Sequence, residues 1–304
     1  MIDRRLLVNP NPVLRKLGFS NDDRLVIIHV DDVGMCQATL SAYEDLLDFG
    51  LISSAAVMVP CPWFPATAAF CRAHPEVDMG VHLTFNSEWD SYRWGPLSTR
   101  DAGSGLLDDE GYFYRRQPPV QASVQEAAVE PEMRAQIERA LEAGIDATHT
   151  DSHMGTVAHE KFLPAYLRVA RDYQLPPTVM FRGDKLGFRA RGLDDSLSML
   201  AAEASATFEA EGIPLLDHEV GLPLDKPENR LEQAKQIISE LPPGITHFYI
   251  HAAQDTPELR AIAPDWPSRV ADYETFLSVE LRDFIRNSGV QVIGNRVLRD
   301  LMRQ

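Results

Sequence analysis

Leu25-Val26-Ile27-Ile28-His29-Val30-Asp31-Asp32-Val33-Gly34 is the stretch on which the reading of this chain turns. The run Leu25 to Val30 is apolar and rich in β-branched residues, the composition of a buried strand. Two carboxylates placed side by side where that strand ends serve no packing purpose, because an ionised carboxylate in a low-dielectric setting needs a cation or several donors. Asp31 and Asp32 therefore read as a metal or acid/base site at a strand terminus.

Outward from that strand, short apolar runs alternate with stretches of helical period along the whole chain, the sequence form of repeated βα units. The expected strands are Leu25 to Val30, Ala55 to Val59, Met79 to Leu83, Ala147 to Thr150, Thr178 to Phe181, Pro214 to Asp217, His247 to Ile250 and Val290 to Ile293. Helices are expected over Ala38 to Phe49, Pro65 to Ala73, Gln121 to Ala143, Glu160 to Tyr173, Leu193 to Ala210, Pro227 to Leu241 and Arg269 to Asn287. About eight strands with intervening helices predict an α/β fold, a distorted (β/α) TIM-like barrel built on a parallel sheet. No linker divides the chain, so residues 1–304 are expected to form a single barrel domain. Residues 86–119, rich in Gly, Asp, Trp and Tyr, are too many for an ordinary connection and are expected to form a functional loop or lid. Its Trp89 and Trp94 are candidates for stacking on a substrate, with packing of the loop onto the barrel as the alternative.

The 304 residues are 44% hydrophobic and 24% charged with a net charge of −16, which argues against a nucleic-acid or anionic-membrane partner and favours a small neutral substrate. Met1 to Pro10 holds no uninterrupted apolar core with a small-residue cleavage site, and no stretch reaches the ~20 apolar residues of a membrane span, so a cytoplasmic location is expected. Cys36, Cys61 and Cys71 are odd in number and lack C-x-x-C spacing, which argues for buried thiols rather than a disulfide framework. A homodimer is the default assembly, since symmetric pairs are commonest.

Set against the expected strands, the polar residues fall at C-terminal strand ends: Asp31 and Asp32, His82, the group His149, Asp151 and His153, then Arg182, His218, His251 and Asn295. In a parallel barrel those ends form the mouth where sites are built, so residues far apart in sequence would converge. One Asp and two His make a facial set for a divalent metal ion such as Mg, Zn, Ni, Co or Mn. Asp32, His82 and His153 are the expected ligands, with His149 in reserve and Asp151 fixing a histidine tautomer from behind.

Asp31-Asp32-Val33-Gly34, Gly80-Val81-His82-Leu83-Thr84, Thr148-His149-Thr150-Asp151-Ser152-His153 and Ile250-His251 resemble the motifs of the YdjC-like (ChbG-type) carbohydrate deacetylases, in order and spacing from about Leu25 to about Asn295. The resemblance implies a distorted barrel, a divalent metal on the second Asp and two His, the first Asp as general base, and removal of an acetyl group from an N-acetylated sugar. The chain departs from that pattern in having Met154-Gly155 after the third motif, Ala252-Ala253 after His251, and Val33 and Gln37-Ala38-Thr39 after the Asp pair.

Such hydrolysis needs a nucleophile at neutral pH, and a divalent ion lowers the pKa of its bound water from 15.7 to about 7 in the best cases. Asp31 is the expected base, His251 the acid for the departing amine, and Arg182 a ligand for Asp31 or a sugar hydroxyl, with a plain ion pair to an acidic loop as the alternative. The competing readings are an amidase or esterase acting on a non-sugar or lipid-linked acyl group, and a catalytically silent sugar-binding protein.

Overall fold

The computed structural model describes residues 10–304, so the reading of the extreme N-terminus lies outside the described residues. Among the described residues seven parallel strands form one curved sheet: β1 (Arg24–Val33), β2 (Ser54–Val57), β3 (Met79–Leu83), β4 (Thr150–Ser152), β5 (His218–Gly221), β6 (Gly244–Ile250) and β7 (Gln291–Val292). Their order is β4-β3-β2-β1-β6-β5, and β7 pairs with β1 beside Leu25 and Val26. Helices follow the strands and pack outside them, which makes a distorted (β/α) barrel of the expected kind.

The expected strand Thr178 to Phe181 does not form. The segment makes only isolated parallel bridges, Pro177 to Thr150 and Phe181 to Leu216, and so spans the gap between β4 and β5 irregularly. Pro176 and Pro177 explain this, because neither has an N–H to give to a ladder. The fourth and sixth expected strands are displaced towards their C-terminal ends, at Thr150–Ser152 and His218–Gly221. The expected helices at Gln121 to Ala143 and Arg269 to Asn287 are each two: Gln117–Ser123 with Glu126–Glu142, and Trp266–Phe276 with Val279–Asn287. Ser278 starts the last of these by accepting the N–H of Leu281.

Strand alternation sorts the residues between two environments. Val26, Ile28 and Val30 of β1 join Val81, Leu83, Phe248 and Ile250 in the layer under the helices. The other face of β1 carries Leu25, Ile27, His29 and Asp31 into the barrel. Leu25 and Ile27 close the floor with Leu216 and Ile245, plugged from below by Val13 and Leu14 of the helix Pro12–Lys16 and by Leu298 of the helix Arg296–Met302. Above that floor the interior is polar, with His29, His149 and His247 buried together. Gly80 makes room for this layer, since a Cβ there would stand 2.4 Å from the His149 ring.

Residues 86–119 form an ordered loop. Its tip folds through the bridge Leu107 to Phe113, and Arg93 ties it together by bonding Asp108 at 2.6 Å, Glu110 at 3.0 Å and the Phe113 carbonyl at 2.7 Å. Tyr92 donates its hydroxyl to the Met35 carbonyl and Trp94 its indole N–H to the Asn86 carbonyl, fixing the loop to the barrel rim. The three cysteines are free and buried, and no described helix is long and apolar enough to cross a membrane. Gly80→Ala is expected to lower unfolding stability by roughly 1–3 kcal/mol through overpacking against His149; urea unfolding checks it, and an unchanged midpoint would show that the ring can move aside.

Candidate metal and catalytic site

A β-bulge creates the site. Between Val30, opposite Ala55, and Val33, opposite Val57, β1 advances three residues while β2 advances two. The extra residue is accommodated at Asp32, whose φ of 61° lies in the left-handed region. A regular strand would send neighbouring side chains to opposite faces, whereas here both carboxylates reach the barrel mouth.

Asp32 Oδ1 lies 3.0 Å from His153 Nδ1 and 3.3 Å from His82 Nε2. His82 arrives from β3, and His153 from the turn directly after β4, where Met154 (φ 54°) and Gly155 (φ 67°) reverse the chain. All three side chains are buried, with one donor atom of each within 4.8 Å of the others. Donors bonded to one cation at about 2.0–2.2 Å stand roughly 3–3.5 Å apart, so one carboxylate and two imidazoles at these separations fit a divalent ion.

The neighbours hold the three in place. His82 Nδ1 is 3.0 Å from Asp151 Oδ2, while Asp151 Oδ1 accepts the Thr178 hydroxyl at 2.5 Å. His153 Nε2 faces Glu88 Oε2 at 3.0 Å. Arg269, from the helix Trp266–Phe276, donates to Asp32 Oδ2 at 2.8 Å and pairs with Asp265. Burial opposes ionisation of Asp32, yet His153 and Arg269 hold its carboxyl well below the usual range. Burial likewise disfavours a charged His153, but the carboxylates of Glu88 and Asp32 raise it to about 9. His82 also rises, against burial, through Asp151 and Asp32.

Asp31 sits beside this group. Its Oδ1 is 2.7 Å from His29 Nδ1 and its Oδ2 is 3.6 Å from His251 Nε2. Burial, reinforced by the Asp151 and Asp32 carboxylates, holds the Asp31 carboxyl well above its ordinary value. His251 donates its backbone N–H to Asp272 at 3.0 Å, and burial lowers its imidazole to about 4.

Six of the expected residues thus come together: Asp31, Asp32, His82, Asp151, His153 and His251. Others do not. Arg182 pairs with Asp217 at 3.0 Å and Glu209 at 2.6 Å. Asp217 in turn accepts the N–H of Ile245 near the start of β6, whereas Asp31 lies level with the end of that strand. Five to six residues of strand separate the two levels, about 17–20 Å at about 3.3 Å per residue. Arg182 is therefore an ion-pair residue of the floor, not a substrate ligand. His218 opens β5 instead of ending a strand, and Asn295 donates to Ser54 at the start of β2. His149 turns inward to His29 at 2.9 Å and is not in the Asp32 group.

Trp89 and Trp94 border the site but are only 6% and 3% exposed. Arg269 lies over the Trp89 ring at 5.6 Å and the two indoles meet edge to face at 5.5 Å, so they wall the site and present no open face to a sugar. His29, Glu88 and Arg269 escaped the sequence reading. His29 was legible, being two residues before Asp31 in a strand and so on the same face; Glu88 and Arg269 are brought in by a loop and a helix with no local signal.

Because His153 must shed its proton to bind an ion, divalent-metal affinity is expected to rise with pH, roughly tenfold per unit below about pH 9 for each proton displaced. Metal titrations at several pH values check this, and a flat affinity between pH 6 and 8 would contradict it. In the metal-free protein the raised His153 contributes stability fully present below its unfolded pKa, near 6.5, and lost as pH rises through about 9. Added metal should abolish that loss in thermal unfolding.

The YdjC-like protein family profile matches residues 25–287. A carbohydrate deacetylase of Thermus thermophilus is 35% identical over 270 residues, covering 89% of this chain and 92% of its own. A carbohydrate deacetylase of Thermoanaerobacter pseudethanolicus is 23% identical, covering 91% of this chain and 100% of its own. Among solved structures, an Enterococcus faecalis protein proposed to be a cellobiose-phosphate cleavage protein superimposes with a TM-score of 0.72 at 21% identity, covering 91% of this chain and 99% of its own. A barrel of this topology whose profile match spans every residue brought together at the site leaves one assignment: the chain belongs to the YdjC-like family.

Proposed function

We propose that the chain is a metal-dependent hydrolase that removes an acetyl group from an N-acetylated sugar or oligosaccharide. The observation that carries this reading is the grouping of Asp32, His82 and His153 around one point, with Asp31 beside them and outside the ligand set. A silent binding protein needs no second buried carboxylate there. The relatives' name, carbohydrate deacetylase, supports the substrate class, and a net charge of −16 disfavours nucleic acid or an anionic membrane as partner.

Asp32, His82 and His153 would hold a divalent ion, which would supply Lewis acidity for the acetyl carbonyl and the attacking water. Asp31 takes the proton from that water as its oxygen bonds to the carbonyl carbon. A carboxyl raised by burial holds the proton more firmly than an exposed one and can return it. His251, 3.6 Å from Asp31 Oδ2 and kept neutral by burial, is placed to pass that proton to the sugar nitrogen as the C–N bond breaks. Residues 86–119, which set Glu88 and Trp94 beside His153, would bound the sugar on that side.

Asp31→Asn is expected to retain the metal and lose about 10²–10⁴ in kcat, the general-base range. His82→Ala should lose metal and turnover together. Acetate release is the assay, run over N-acetylated sugars, acetyl esters and acetylated peptides. Activity of Asp31→Asn within about tenfold of wild type would remove Asp31 from the base role, and release from esters or peptides alone would remove the sugar.

A further inference from the structure

The groups behind Asp31 form a continuous hydrogen-bonded chain. Asp31 Oδ1 meets His29 Nδ1 at 2.7 Å, His29 Nε2 meets His149 Nε2 at 2.9 Å, and His149 Nδ1 meets Thr148 Oγ1 at 2.9 Å. Thr148 Oγ1 then donates to Asp78 Oδ1 at 2.5 Å. Both imidazoles are fully buried. Asp78 also accepts from Ser54 Oγ at 3.0 Å and from the Arg296 N–H at 2.6 Å, so it ends the chain as an acceptor.

That end sets the direction of every link. A neutral imidazole has one N–H and one lone pair. With the Thr148 hydroxyl given to Asp78, His149 must donate from Nδ1, which leaves its Nε2 to accept from His29 Nε2–H. His29 Nδ1 then faces Asp31 Oδ1 at 2.7 Å, and one proton between the two atoms makes the bond whichever of them carries it, so that a proton taken from water at Oδ2 lets the one at Oδ1 pass to Nδ1. The ring is clamped at both nitrogens. Gly80 supports the clamp by lying flat against His149, and the His247 ring packs on His29 with centroids 4.5 Å apart.

We propose that His29 is a positioning residue for Asp31: it holds Oδ1, so that Oδ2 is the oxygen presented towards His251 and the reacting water. The inference rests on Asp31 being the base, and adds the device that aims it. His29, Asp31 and Asp151 also bring donor atoms within 4.8 Å of one another, as a second cation site would. Their atoms are already engaged, however, with Asp31 Oδ1 on His29, Asp151 Oδ1 on Thr178 and Asp151 Oδ2 on His82. Aiming the base explains the grouping without a second ion.

His29→Leu fills the space but holds nothing, whereas the amide of His29→Asn occupies the place of Nδ1. In the metal-loaded enzyme, His29→Leu is expected to lose roughly 10²-fold in kcat, the effect of a reacting group misplaced by about 1 Å, with KM and bound metal unchanged. His29→Asn should recover most of that loss. Equal activity of His29→Leu and wild type, or equal loss in both variants, overturns the proposal. Thr148→Val interrupts the chain two links from Asp31 should His29→Leu fail to fold; kcat is expected to fall severalfold, and an unchanged value overturns the clamp. Nitrogen-15 spectra of the metal-free wild type are independent of activity: His149 is expected as the Nδ1–H tautomer and His29 with a proton on Nε2, and the reverse assignment overturns it. If no substrate releases acetate while the spectra show the expected tautomers, the functional reading fails and the pairing of His29 with Asp31 stands.

Discussion

The bulge that lets Asp31 and Asp32 face the same cavity is a local distortion with an energetic cost, since a non-glycine residue in the left-handed region is disfavoured by about 1–3 kcal/mol. Aspartate tolerates that region better than most residues, and here its carboxylate is held by His153, His82 and Arg269 at once. Three contacts on one side chain outweigh the strain of its backbone. Everything else in the site follows, because β3 and the turn after β4 can meet Asp32 only if it points into the mouth. The ion would then stabilise a conformation that the protein already holds.

Such a site needs an unusual interior beneath it. Barrels of this architecture commonly fill their centres with branched aliphatic side chains, and here the floor obeys that rule through Leu25, Ile27, Leu216 and Ile245. One layer higher the aliphatics give way to His29, His149 and His247. Buried polar groups are tolerated when their partners are present. The links from Asp31 to Asp78 satisfy His29 and His149, whereas His247 makes no hydrogen bond among the described residues. The polar layer gives up some apolar stabilisation in exchange for fixed ring orientations under the reacting groups.

Much of this could be read from the chain because strand patterns are local. The run Leu25 to Val30 and the carboxylates after it announce a strand and its C-terminal end, and His82, Asp151, His153 and His251 occupy matching places on other strands. Arg182 was misplaced because its strand never forms: prolines 176 and 177 turn it into an irregular crossing, so the rule about strand ends does not reach it. Trp89 and Trp94 show a different gap. Composition identifies aromatic residues in a loop, but whether their faces are open depends on Arg269, nearly two hundred residues away. Glu88 and Arg269 contact the ligand set through tertiary packing alone, which no periodicity encodes.

The sealed floor has a bearing on traffic. With Val13, Leu14 and Leu298 stopping the lower end, anything that reaches the reacting groups would enter from the opposite end of the barrel, and whatever is formed there would depart by the same doorway. Acetate and the free amine would then share one exit.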